Sequence, residues 1–183
     1  VQFELAGDTL RATGSATHDW AYSAATLVER IPGLAFLDLS QANLTLPGDL
    51  SGLKNRVEER RVLFNIGSSA LVPPAPDLIA EITTLFSELI VASEEKGYRV
   101  SLELIGRTDT TGSNETNRVL SQNRASRVRT VLESRGVPRS MLTETGIGTS
   151  DPIEADDPQE KAALNRSVSL RVTLTYGRSG EGS

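Results

Sequence analysis

Two hydrophobic periods alternate along residues 61–176 of the chain. Four apolar residues recur at helical spacing behind a proline-rich start, which is typical of a helix lying on a sheet: Leu78, Ile82, Leu85 and Leu89. The segment "RSVSLRVTLTY" instead alternates apolar and polar residues, which is the pattern of a half-buried strand. Shorter strand patterns occur in "VLFNIG", "YRVSLELIG" and "LTETGIG". The order βαβαβ plus a final strand predicts an α/β fold, an α+β sandwich with helices on one or both faces of a sheet.

The first 45 residues predict a separate ββαβ unit. "VQFELAGDTLRATG" alternates apolar and polar residues on both sides of Gly7-Asp8, which indicates a β-hairpin with its turn at that pair. Thr17 is placed to cap a helix that runs to about Ile31, where a Pro-Gly pair ends it. "LAFLDLS" follows as a strand.

A change in amino-acid composition separates the two predicted units. The stretch "TLPGDLSGLKNRVEERR" is punctuated by Pro and Gly and then becomes charged and helix-like. We therefore predict a first unit over 1–45, a partly helical linker over 46–60 and a second unit over 61–176. The remaining segment, 177–183, is rich in Gly and Ser and is expected to be a flexible tail.

Composition excludes several function classes. The formal net charge is −5, so the chain as a whole has no basic footprint for nucleic acid. It has no Cys and a single His, which disfavours a thiol nucleophile, a Ser-His-Asp triad and a metal site built on these residues. We therefore expect a protein that binds and does not catalyse, with no cofactor. The chain begins at Val1, not Met, and we expect a membrane tether upstream of it.

The candidate chemistry lies in "GRTDTTGSNETNRVLSQNRASRV", residues 106–128. Asp109 stands in a turn after a strand, and Arg124 stands two to three turns into the next helix. Two interpretations remain open from the residues alone. The pair could form a partly buried salt bridge, or it could clamp an amino-acid head group, because Arg grips a carboxylate and Asp accepts from an ammonium group.

The same stretch resembles the C-terminal domain of outer membrane protein A. That family's hallmark reads Gly-x-Thr-Asp-x-x-Gly-x-x-x-x-Asn-x-x-Leu-Ser-x-x-Arg-Ala. Nine residues fall on it at the same spacing: Gly106, Thr108, Asp109, Gly112, Asn117, Leu120, Ser121, Arg124 and Ala125. "FNIGSSAL", "GIGTSDP" and "NRSVSLRV" are similar to the flanking family motifs, so the resemblance covers about residues 61–175.

The resemblance implies non-covalent binding of peptidoglycan through the diaminopimelate of its stem peptide. By motif position, Asp109 and Arg124 would hold the amino-acid end of that residue. Thr108 and Asn117 would line the pocket, and Arg166 would lie close by. The loop near residues 67–68 would offer backbone groups to the ligand.

Two departures from the family pattern stand out. Arg107 places an extra cation beside the expected clamp, and Ser167 stands where the family usually has a second arginine.

The first unit is similar to a BON module, which implies contact with phospholipid; the alternative is a plain packing unit without a ligand. Together the resemblances imply a periplasmic, envelope-located tether to the cell wall. The alternatives for the second unit are a protein-interaction module that does not bind peptidoglycan and a wall hydrolase. The hydrolase is disfavoured because the single His18 lies far from the clamp in sequence.

Overall fold

The computed structural model describes residues 1–176 of the chain. The described residues form two compact units, Val1–Ser51 and a second unit that begins at Gly52. The division falls inside helix α2, Gly48–Glu58, within the stretch expected to link the units. The expected tail, 177–183, lies outside the described residues.

The first unit is a three-stranded sheet with one helix, in the predicted order ββαβ. Strands β1 and β2 form an antiparallel hairpin, and Gly7 in its turn adopts a positive φ of 66°. The third strand lies parallel to β2, so the sheet order is β1-β2-β3. The elements are β1 Gln2–Ala6, β2 Thr9–Thr17, α1 His18–Val28 and β3 Phe36–Thr45.

Helix α1 starts where the sequence predicts and ends three residues earlier. The Thr17 side chain accepts a hydrogen bond from the Trp20 N–H at 3.3 Å, which satisfies one free donor of the first turn. After Val28 the backbone tightens, because the N–H of Ile31 donates to the carbonyl of Val28, three residues back. The helical spacing of apolar residues therefore continues past the end of the α-helix.

The second unit is a four-stranded sheet with two long helices packed against it. The sheet order is β4-β7-β5-β6, with β6 parallel to β5 and β7 antiparallel to both of its neighbours. A short 3-10 turn, Arg139–Met141, precedes β6. The elements are β4 Arg61–Leu63, α3 Ala75–Glu95, β5 Tyr98–Gly106, α4 Asn114–Ser134, β6 Leu142–Gly146, α5 Pro158–Asn165 and β7 Ser167–Tyr176.

The core of this unit lies between the sheet and helices α3 and α4. Alternate residues of β5 are buried on one face, as predicted: Val100, Leu102 and Leu104. On α3 the apolar stripe is buried as well, although Leu78 is only half-buried. The mixed α+β fold predicted from the alternating periods is therefore confirmed.

Strand β4 is shorter than the apolar run predicts. It ends at Leu63, and the Phe64 N–H donates to the carbonyl of Arg166 at 2.8 Å as the chain leaves the sheet. Beyond β4, no described strand pairs with this edge of β7, and the Glu58 carboxylate accepts a hydrogen bond there from the Val172 N–H at 2.7 Å. A side chain from the end of α2 thus continues the pairing that β4 begins.

Candidate functional site

Two paired glycines let helix α4 lie directly on the ends of β5 and β6. Gly106 and Gly146 are opposite each other in the parallel pair. A Cβ atom at Gly106 would stand 2.0 Å from the Ser121 carbonyl oxygen, and one at Gly146 would stand 2.3 Å from the Gln122 backbone nitrogen. Only glycine permits this approach, which fixes the position of α4 relative to the turn that carries Asp109.

One face of α4 carries buried polar side chains toward the strand ends. Ser113 caps the helix by accepting from the Thr116 N–H. Asn117, Ser121 and Arg124 follow at helical spacing and are buried. Ser121 also accepts a hydrogen bond from the Gly148 N–H at 2.9 Å, which ties the helix to the loop after β6.

Arg124 is fully buried, and its guanidinium bonds to three backbone carbonyls. Nε donates to Ser68 at 2.9 Å, Nη1 to Arg107 at 2.8 Å and Nη2 to Asn65 at 3.0 Å. Its central carbon lies 5.3 Å from the centre of the Phe64 ring, within the range of a cation–π contact. Arg124 therefore joins α4 to the loop after β4 and to the end of β5.

Burial lowers the pKa of Arg124 to about 10, and the nearby Asp109 opposes that shift. The side chain remains charged at neutral pH because this pKa still lies well above 7. A guanidinium has five N–H groups, so one on Nη1 and one on Nη2 remain after the three carbonyl bonds.

The Asp109 carboxylate pairs with Arg166 and not with Arg124. Oδ2 lies 3.1 Å from Arg166 Nη1, and Oδ1 accepts from the Thr111 N–H at 3.2 Å. The direct salt bridge between Asp109 and Arg124, one of the two interpretations left open by the sequence, is not formed. The structure brings the predicted site residues together, but it gives the two arginines different roles.

Three buried polar atoms of the predicted site residues have no hydrogen-bond partner among the described residues. They are Thr108 Oγ1, Asn117 Nδ2 and Arg166 Nε. The Thr108 backbone N–H is bonded to the Gly148 carbonyl at 2.9 Å, so only its hydroxyl is unpartnered. Folded proteins rarely leave such groups unpaired, because each costs about 1–3 kcal/mol. All three atoms belong to residues that the sequence analysis predicts for the site.

The two residues that depart from the family pattern, Arg107 and Ser167, both form contacts within the fold. Arg107, expected to add a cation beside the clamp, pairs with the Asp151 carboxylate at 2.9 Å and also donates to Ser169. The Asp151 carboxylate offsets the positive charge of Arg107, and this ion pair holds the loop after β6. Ser167 is buried, and its hydroxyl donates to the Leu164 carbonyl at 2.6 Å.

Asn165 has a structural function that the sequence analysis missed. Its amide donates to the carbonyls of Ile153 and Lys161, and its side-chain oxygen accepts from the Ile153 N–H. These bonds hold the start of β7, and with it the neighbouring Arg166. The Asn-Arg pair in "NRSVSLRV" was the signal in the sequence, but it does not reveal what the Asn contacts.

Within residues 1–176, no group of three His, Asp or Glu side chains is placed to hold a metal ion. In the same range, no helix has the length and apolar character needed to cross a membrane.

The chain is similar to envelope proteins over its second unit. It is 29% identical over 112 residues to the probable lipoprotein YiaD of Escherichia coli. The matched region covers 61% of this chain and 48% of that protein. It is 35% identical over 106 residues to outer membrane protein A of Shimwellia blattae, covering 56% of this chain and 42% of the relative. The chain thus spans about half the length of these curated relatives.

Solved structures share the fold of the second unit. The C-terminal domain of Helicobacter pylori MotB matches with a TM-score of 0.54 at 26% identity, covering 62% of this chain and 84% of that one. The peptidoglycan-associated lipoprotein of Burkholderia pseudomallei matches with a TM-score of 0.52 and covers 62% of this chain and 90% of that one. Its identity is 23%, so it supports the fold alone.

The strongest assignment comes from the family comparison. The OmpA family matches residues 63–166, which include the hallmark motif, the turn after β6 and the Asn165-Arg166 pair. This match covers more than half of the 183 residues. The chain belongs to the OmpA family.

Proposed function

We propose that the second unit binds cell-wall peptidoglycan non-covalently and so anchors an envelope protein to the wall. Family membership supports this function, as do the relatives named outer membrane protein A and probable lipoprotein YiaD. The same relatives favour a periplasmic, envelope location, with a membrane tether supplied by a part of the protein outside this chain.

The observation that carries the proposal is the unused hydrogen-bonding capacity around Asp109. Asp109 pairs with Arg166, and three polar atoms of the proposed site residues are buried and unpartnered among the described residues: Thr108 Oγ1, Asn117 Nδ2 and Arg166 Nε. An amino-acid head group offers an ammonium for Asp109 and a carboxylate for Arg166. Diaminopimelate presents such a head group when its other end is part of the stem peptide.

Arg124 contributes to this site in a second way. Its three carbonyl bonds hold the loop after β4, and two of its N–H groups make none of these carbonyl bonds. We infer that Arg124 holds the pocket walls in place and adds positive charge for the ligand carboxylate. No side chain of the motif is placed to activate a nucleophile or a water, which favours binding over turnover.

Calorimetric titration with diaminopimelate and co-sedimentation with purified peptidoglycan test the function. We expect the intact protein to bind both, and Asp109→Asn to weaken binding by about tenfold or more, because the ammonium loses a charged acceptor. Asp156→Asn is the matched control: Asp156 is exposed, lies outside the motif, and its substitution removes the same charge.

Failure of the intact protein to bind either material would contradict the function. The fold would then serve as a protein-interaction module, the rival interpretation. Equal binding by Asp109→Asn and Asp156→Asn would leave peptidoglycan binding in place and reject Asp109 as part of the site.

For the first unit we propose a BON-like module that contacts phospholipid. The favouring observation is a cross-strand apolar row at one end of its sheet, in which Leu5 is 63% exposed: Leu5, Leu10 and Leu37. Leu5→Asp is expected to reduce flotation with phosphatidylcholine vesicles several-fold, since it charges the most exposed member of the row. Val91→Asp in α3, at 58% exposure, is the control. Equal flotation of the two variants would reject the row as a lipid contact.

A further inference from the structure

A cleft of about 320 Å³ opens beside the motif, lined by β4, the loop that follows it and the start of α3. Arg61 and Arg166 are the charged residues of its described lining. Apolar side chains make up much of the remaining wall, among them Leu63, Pro74, Leu78 and Ala163. The cleft therefore combines an apolar surface with two cations.

Arg61 has no anionic partner in the part of the chain that the structure describes. It is half-buried at the start of β4, and its side chain forms neither a hydrogen bond nor an ion pair with any residue of 1–176. Burial, and to a lesser extent the nearby Arg107, lowers its pKa. A partly desolvated cation without a partner is unfavourable unless an anion from outside the fold compensates it.

Arg166 connects this cleft to the site around Asp109. One of its terminal nitrogens, Nη1, is bonded to the Asp109 carboxylate, whereas Nε has no partner among the described residues. A ligand that reaches Arg166 at the Asp109 site can therefore extend into the cleft that Arg61 also lines.

The local charge balance also favours an anion. Arginines outnumber carboxylates in the set linked by these ion pairs and charge interactions: Arg61, Arg107, Arg124 and Arg166 against Asp109 and Asp151. This set has a net charge of +2, from four cations and two anions, whereas the whole chain has −5. A positive cleft on an acidic protein attracts negatively charged groups selectively.

We propose that this cleft binds a second carboxylate of the stem peptide, outside the head group that Asp109 receives. The proposal rests on the peptidoglycan-binding function stated above. The guanidinium of Arg61 pairs with the carboxylate, and the apolar wall contacts the aliphatic part of the peptide. Arg61 thereby distinguishes peptides that have a free carboxylate at this position from those in which it is an amide.

Calorimetry with four ligands tests the assignment. The first two are free diaminopimelate and the tripeptide alanyl-γ-glutamyl-diaminopimelate. The third is the tripeptide with an amide in place of the glutamyl α-carboxylate. The fourth is the tripeptide with an amide in place of the carboxylate at the peptide-linked end of diaminopimelate. The intact protein is expected to bind the tripeptide about tenfold more tightly than one of the two amides. Arg61→Gln is expected to remove that difference, so that the tripeptide and both amides bind with similar affinity.

The control is Arg99→Gln, which removes the same charge from an exposed position on β5. Arg99 lines a larger cleft, about 530 Å³, that contains none of the motif residues. This variant should discriminate among the four ligands as the intact protein does.

Two results overturn the inference while the proposed function stands. One is that the intact protein binds diaminopimelate but has the same affinity for the tripeptide and for both of its amides. The other is that Arg61→Gln still binds the tripeptide more tightly than one of the amides. If the intact protein binds none of the four ligands, both the function and the inference are rejected.

Discussion

Replacing Arg124 with methionine is expected to lower the free energy of unfolding of the second unit by about 3 kcal/mol or more. The substitution keeps an unbranched side chain but removes the donors to three backbone carbonyls, of Asn65, Ser68 and Arg107. Each buried acceptor left unpaired costs about 1–3 kcal/mol. Denaturant unfolding followed by circular dichroism measures the loss, because α3 and α4 supply much of the helical signal.

Arg118→Met on the same helix is the matched control. Arg118 is 70% exposed, and its one ion pair, with Glu115, is a surface contact. Such pairs contribute about 0–1 kcal/mol, so this variant should unfold nearly as the intact protein does. Equal stability of the two methionine variants would mean that the three carbonyl bonds contribute little to the fold.

Arg124→Lys separates charge from geometry at this position. Lysine keeps the positive charge beside Asp109, but its single ammonium cannot reproduce the planar fork that reaches three carbonyls. We expect it to be nearly as destabilising as methionine.

The second large effect is expected from Gly106→Ala. Its new methyl group would stand 2.0 Å from the Ser121 carbonyl oxygen and 3.4 Å from the Ala125 side chain. The first of these is helix backbone, so relief requires α4 to move away from the sheet. We expect a loss of about 3 kcal/mol or more in the free energy of unfolding, at or beyond the usual upper limit for overpacking. Thermal unfolding measures it.

Gly52→Ala supplies the control for this substitution. Gly52 lies in α2, and no atom stands within 4 Å of the place that an alanine methyl would take there. Alanine at this position should therefore leave stability unchanged or raise it by up to about 1 kcal/mol. If Gly106→Ala melted at the same temperature as Gly52→Ala, the close contact between α4 and the strand would not be a constraint in solution.

The sequence says more about where the polar residues of α4 lie than about their bonds. Asn117, Ser121 and Arg124 recur at helical spacing, and all three are buried. The partners of Arg124 were not predictable, because they are backbone carbonyls, and every residue carries one. No side-chain pattern marks Asn65 and Ser68 as acceptors.

The pairing of Asp109 with Arg166 depends on sheet topology. The two residues are 57 positions apart, and they meet because β7 inserts between β4 and β5. Apolar periodicity predicts that β7 exists but not which strands it lies between. For this reason the spacing of Asp109 and Arg124 suggested a direct pair that the fold does not form.

Strand and helix ends were the least predictable part of the fold. The apolar run after Arg60 continues beyond Leu63, but the chain leaves the sheet there to form the loop that Arg124 holds. Tertiary contacts, and not local preference, set this boundary.

The carboxylate of Glu58 also affects how the protein behaves among copies of itself. Strand β7 extends well past β4, and an uncovered strand edge is a template on which another chain can add a strand. Glu58 occupies the Val172 N–H of that edge and places a negative charge where the carbonyl of an incoming strand would approach. The contact between Glu58 and Val172 thus opposes extension of the sheet into a second molecule, and so disfavours edge-to-edge aggregation.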